Sequence, residues 1–106
     1  MADAGVEAEA PCVVVEATSA AEFLRAAVET LAEHEAANNV LIGSARRQAR
    51  EVGAPSSRFY LVDDGGAAPC GTAMATPGEA LLLGVPTSAA AAHALEAHLA
   101  GAEDRK

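Results

Sequence analysis

The chain has no tryptophan, one tyrosine and two phenylalanines among its 106 residues. That scarcity excludes the aromatic platforms on which single-stranded nucleic-acid binders stack bases. Basic residues are few as well: seven Lys and Arg stand against 15 Asp and Glu, for a net charge of −8. A surplus of that sign argues against phosphate backbones and anionic membranes, so neither nucleic acid nor a membrane is expected as a partner. Only two cysteines are present, Cys12 and Cys70, 58 positions apart and without a neighbouring His. Their spacing shows neither a metal framework nor a redox motif, and buried thiols are expected. Long apolar runs are also missing. The strongest, Ala80 to Leu83, is far short of the roughly 20 residues of a membrane span. The first residues carry acids where a secretory signal needs Lys or Arg. The expected location is cytoplasmic.

What the chain has instead is alanine. Apolar residues make up 51% of it, and 28 of them are Ala. Val, Leu, Ile and Phe together number 21, at the boundary below which a charged chain tends toward disorder. A domain of this length buries roughly two thirds of its unfolded surface. Each Ala methyl contributes little at about 25 cal/mol per Å², so a single, thin core is expected. Charge is unevenly spread: residues 36 to 62 carry four Arg and one Glu, a basic island in an acidic chain.

Residues 1 to 11 are Ala, Glu and Asp with little else, which predicts a disordered acidic tail. Cys12 to Glu16, with three consecutive Val, predicts a short buried strand. Ser19-Ala-Ala-Glu22 matches a capping box and starts a helix, whose inward stripe is Phe23, Leu24, Ala27, Val28 and Leu31. After a polar break from His34 to Asn39, a second helix carries Val40, Leu41, Ala45, Ala49 and Val52, with Gly53 as its stop and Pro55 beyond. Arg58 to Asp63 alternates as a strand, Asp64-Gly65-Gly66 makes the turn, and Cys70 to Thr76 returns. Ala80 to Val85 predicts a last strand, apolar enough to want neighbours on both sides. Thr87 or Ser88 then caps a final helix with Ala91, Ala92, Leu95 and Leu99 inward and Gly101 as its stop. The order is β-α-α-β-β-β-α. It predicts an α+β domain over residues 12 to 101, a mainly antiparallel sheet of about four strands under three helices, with 102 to 106 as a tail.

This order resembles the amino-terminal half of a GNAT-superfamily N-acetyltransferase, which implies half of a GNAT-like fold. The local text that carries the likeness is Ala21-Glu-Phe-Leu-Arg25, Glu35-Ala-Ala-Asn38-Asn39-Val-Leu-Ile-Gly43, Arg58-Phe-Tyr-Leu-Val62 with Asp63-Asp-Gly-Gly66, Cys70-Gly-Thr-Ala-Met-Ala-Thr-Pro77, and Ala80 to Pro86. The resemblance implies acetyl-CoA as cofactor and an amine as acceptor. It further makes Glu35, Asn38 and Asn39 candidates for gripping that amine, and Glu79, just ahead of the last strand, a candidate general base. The chain departs from the family at its [QR]xxGx[GA] loop, which holds the acyl-CoA pyrophosphate on backbone amides. The equivalent place reads Gly84-Val-Pro86-Thr-Ser-Ala89, with no glycine after Gly84 and a proline in the path. Arg50-Glu-Val-Gly53-Ala-Pro55 is a near match that closes a helix instead of opening one. The expectation is a family member that stops before the cofactor-binding half, with no cofactor-binding residue assigned.

Each candidate also has a plainer reading. Asn38 or Asn39 can cap the second helix, and Glu79 can be an exposed turn residue beside Pro77-Gly78. His34-Glu35-Ala-Ala-Asn38 is one residue from an HExxH zinc helix, but Asn replaces the second His and no third ligand follows, so no metal is expected. Arg46, Arg47 and Arg50 suit the dipole at a helix C-terminus. His93 and His98, five apart on one helix, do not converge. The alternative to an acetyltransferase relative is a non-catalytic interaction module, pairing with a second copy or another chain through Ala80 to Val85.

Overall fold

The computed structural model describes residues 12–51, 57–79 and 81–104. The expected tail at 1–11, the expected stop signals Gly53 and Pro55, and Val52 and Ala80 lie outside the described residues. The elements are β1 (Val13–Glu16), α1 (Ala20–Ala32), α2 (Asn39–Ala49), β2 (Arg58–Asp63), β3 (Gly71–Ala75), β4 (Leu82–Leu83) and α3 (Ala89–Asp104). The four strands form one antiparallel sheet in the order β1-β2-β3-β4. The expected α+β class and element order are therefore present.

The capping box starts α1. Ser19 Oγ accepts the Glu22 N–H at 3.0 Å, and the Glu22 carboxylate reaches back to the Thr18 N–H, one residue before the cap, at 2.7 Å, a close variant of the reciprocal capping box. Phe23, Ala27 and Leu31 are buried along the inward stripe. The α2 face is rotated from the expected one. Leu41, Ile42, Ala45 and Gln48 point inward, and Val40 is 64% exposed. This helix ends at Ala49, where the Arg50 and Glu51 N–H groups tighten onto Arg47 and Gln48 carbonyls at 3.2 Å, a 3₁₀ finish.

The sheet is covered on both faces, not on one. Register places Phe59 opposite Met74, and Tyr60 opposite Ala73, and cross-strand partners share a face. Phe59 and Met74 join Phe23, Leu31, Leu41 and Ile42 beneath α1 and α2. Tyr60, Val62 and Ala73 join Ala91 and Leu95 beneath α3 on the other side. Phe23 and Phe59 meet with ring centroids 5.0 Å apart. Gly71 lets α3 come close, because a Cβ there would lie 2.7 Å from that of Ala91.

Three expectations about the last third need correction. Strand β4 is two residues long and lies at the sheet edge, with β3 its only partner among the described residues. It is short because Val85 leaves the ladder to bond elsewhere, as described below. Helix α3 runs through Gly101 to Asp104. Gly101 lacks the positive φ of a helix stop, and a mid-helix Gly costs only about 1 kcal/mol. The turn after β2 uses Gly65 at φ 93°, but it spans 64–70 and is held by Asp63 and Asp64 side chains on the Gly65 and Gly66 N–H groups.

Candidate functional site

Chemistry-bearing residues meet at the connection from β4 to α3. Gly84 donates its N–H to Thr72 O at 2.9 Å and so continues the ladder with β3. Strand alternation then turns the Leu83 N–H and C=O away from β3. Val85 donates to Asn38 Oδ1 at 2.8 Å and accepts from Asn38 Nδ2 at 2.7 Å. The second Nδ2 proton goes to Leu31 O at 3.0 Å. Asn38 is 1% exposed and its amide uses both donors, so it clamps the end of α1 and the start of α2 to the chain beyond β4. It occupies the N-cap position of α2 without a side-chain capping bond. The expected cap is absent because the amide is committed to Val85.

Thr87 and Ser88 add further bonds to the connection. Thr87 Oγ1 donates to Gly84 O at 2.6 Å and receives the Thr72 N–H at 3.4 Å. Ser88 N–H bonds to Cys70 O at 3.0 Å, and Ser88 Oγ caps α3 by accepting the Ala91 N–H at 3.0 Å. Of positions 84 to 88, Gly84, Val85 and Ser88 have their N–H donated within the fold, and Pro86 has none. A diphosphate cradle needs several amides converging on one point. Positions 84, 85, 86 and 88 have no N–H free to join one.

The amine-gripping candidates do not form a site together. Glu35 is exposed in the turn between α1 and α2 and Asn39 is exposed as the first residue of α2, while Asn38 is buried in its clamp. Glu79 is exposed in the turn ahead of β4, where its N–H bonds to Thr76 O at 3.0 Å. Glu79 thus precedes β4 and the Asn38 clamp follows it. No group of three or more His, Cys, Asp or Glu among the described residues is placed to hold a metal. His34 and His93 are exposed, and His98 stacks edge-on against Tyr60 at 5.7 Å. Arg47 approaches Glu51 at 4.0 Å on the surface of α2, a pair worth little energy.

No protein-family model, no curated protein and no solved structure matches this chain.

Two surface features adjoin the sheet. Beside β4, a groove of about 420 Å³ is lined by Leu81, Leu83, Ala92, Glu96, Leu99 and Ala100. Leu81 and Leu83 are 39% and 42% exposed there. At the end of β1, a cleft of about 490 Å³ lies against Glu16, Thr18, Ser57 and Arg58. Its Ser57 is buried and tied to Gln48 and Thr76, with Gln48 Oε1 on the Ser57 N–H at 3.0 Å and Ser57 Oγ 2.7 Å from Thr76 Oγ1. Gln48 was missed as an inward residue because a polar side chain reads as solvated. The described residues contain no helix long and apolar enough to cross a membrane.

Proposed function

We propose that this chain is a GNAT-like amino-terminal half, kin to enzymes that transfer an acetyl group from acetyl-CoA to an amine, which does not itself bind acyl-CoA. The observation that carries this reading is the β4 to α3 connection. The element order and the sheet order β1-β2-β3-β4 support the likeness. At the place where such enzymes hold pyrophosphate, the Gly84, Val85 and Ser88 amides are donated to Thr72, Asn38 and Cys70. With Pro86, four of the five residues from 84 to 88 leave no amide for a pyrophosphate. Calorimetric titration with acetyl-CoA is expected to give no heat of binding; micromolar binding by this chain overturns the reading.

The β4 edge favours a second reading, pairing with another chain. The Leu83 N–H and C=O face outward, and an edge of this kind is a template for an added strand. Two of its flanking leucines line the groove beside α3, where an incoming strand can bury apolar side chains. Sedimentation velocity over a hundredfold concentration range is expected to show a concentration-dependent dimer that Leu83→Lys abolishes. A strictly monomeric wild-type profile refutes it.

A further inference from the structure

Cys12 immediately precedes β1 and Cys70 immediately precedes β3, the two strands that flank β2. Both therefore stand at the same end of the sheet, because Val13 pairs with Asp63 and Gly71 pairs with Val62. Cys70 also addresses Val62, donating its N–H to the Val62 carbonyl at 2.9 Å, with its Sγ 3.5 Å from the same oxygen. Two consecutive residues thus face one residue of β2, as in a β-bulge, which turns a side chain out of strict alternation. Both cysteine side chains are partly buried against the same cluster of Tyr60, Val62, Ala73, Ala91 and Leu95. They are the only two cysteines in the chain.

We propose that Cys12 and Cys70 are a reversible dithiol–disulfide pair whose bridge crosses over Val62 and ties the start of β1 to the start of β3. Strands flanking a common neighbour run about 9.6 Å apart, wider than the roughly 4.4–6.8 Å between the Cα atoms of a disulfide. The two chain segments must close in to form the bond. Cys70 is held to Val62 through its N–H and to Ser88 through its carbonyl, so the movement falls on Cys12, which precedes the first paired residue of β1. A bridge made this way carries strain, and strained disulfides are the easily reduced, regulatory ones. Burial, the adjacent Cys12 thiol and the Asp64 carboxylate all push the Cys70 thiol up.

The oxidant is a low-molecular-weight disulfide of the glutathione class. Cys12 Sγ, as thiolate, attacks one of its sulfurs. The old S–S bond breaks, and one thiolate leaves and takes up a proton. The Cys70 thiolate then attacks Cys12 Sγ, forms the protein disulfide and releases the second thiol. Two protein thiols are oxidised and one disulfide is reduced to two thiols.

The test treats the full folded chain with oxidised glutathione, blocks remaining thiols with N-ethylmaleimide, and maps peptides without reduction. The expected product is a monomer two hydrogens lighter, with Cys12 joined to Cys70, no thiol left to alkylate, and full reversal by dithiothreitol. Cys12→Ser and Cys70→Ser are each expected to stop at a single glutathione adduct. The proposal is overturned if wild type stops at separate adducts on both cysteines or cross-links between chains. It also fails if both thiols stay free while the urea-unfolded chain oxidises under the same conditions.

Discussion

Gly84→Ala separates two opposed effects at one position. Gly84 is buried and its φ is not positive, so Ala is compatible with the backbone and by itself stabilises by about 0.4–1 kcal/mol through the unfolded chain. The added Cβ, however, overlaps Thr72 Oγ1 and lies 3.0 Å from Leu31 Cδ2 and 3.2 Å from Leu41 Cδ2. Thr72 is 1% exposed and its Oγ1 has no hydrogen-bond partner, so any shift of the hydroxyl is made inside a packed interior. Overpacking of this kind costs about 1–3 kcal/mol. Crowding wins, and Gly84→Ala is expected to destabilise by about 1–2 kcal/mol, or roughly 5 to 15 °C in Tm. Thr72→Ala removes the obstructing oxygen. In that background Gly84→Ala is expected to be neutral or stabilising, a coupling of about 1–2 kcal/mol that reverses the sign of the substitution. Urea unfolding followed by circular dichroism measures all four corners of the cycle. Additive effects within about 0.5 kcal/mol, or a harmless Gly84→Ala in the wild type, refute the steric assignment.

Asn38→Ala removes the clamp and leaves the Val85 N–H and the Val85 and Leu31 carbonyls without this partner; a loss of about 3 kcal/mol is expected by urea unfolding, and a loss below about 1 kcal/mol shows that the clamp contributes little. Glu22→Gln tests the capping box by pH. The Thr18 N–H and hydroxyl, aided by the Arg25 charge, hold the Glu22 carboxyl below its ordinary value. A carboxyl lowered in the folded state contributes stability that is present above the ordinary carboxylate range and lost as pH falls through the lower folded value. The Tm advantage of wild type over Glu22→Gln is therefore expected to shrink between neutral pH and about pH 3. A constant difference contradicts the assignment.

Legibility in the sequence follows the distance over which each signal acts. Ser19 and Glu22 are three apart, and the N-terminus they mark lies where the sequence places it. β2 likewise runs from Arg58 to Asp63 as its alternation predicts. Asn38 was legible as a helix-start residue but not as a clamp, because its partner Val85 is 47 positions away and nothing local to either residue marks the pair. The groove beside β4 was half legible. Its leucines read as a buried strand, but Val85 was counted as strand and is instead taken by Asn38. The side of the sheet that α3 covers carried a usable signal. Tyr60 and Val62 on one face of β2, and Phe59 and Leu61 on the other, make a strand apolar on both faces, which needs cover on both.

Alanine, which by count thins the core, has a positional role. Ala27, Ala45, Ala73 and Ala91 are all fully buried, on α1, α2, β3 and α3 in turn, at the surfaces where layers meet. A small residue at such a contact gains little by area at about 25 cal/mol per Å², but it lets the backbones behind it approach, and the larger Phe23, Leu31, Phe59, Tyr60 and Leu95 fill what remains. Gly71 against Ala91 and Gly84 against Thr72 are the tightest cases. A core specified this way has little tolerance for added volume. The sign reversal expected at Gly84 is therefore a test of the packing scheme as well as of one contact: if Ala is accepted there without relief at Thr72, the tight space among Thr72, Leu31 and Leu41 is not what sets how the helices rest on the sheet.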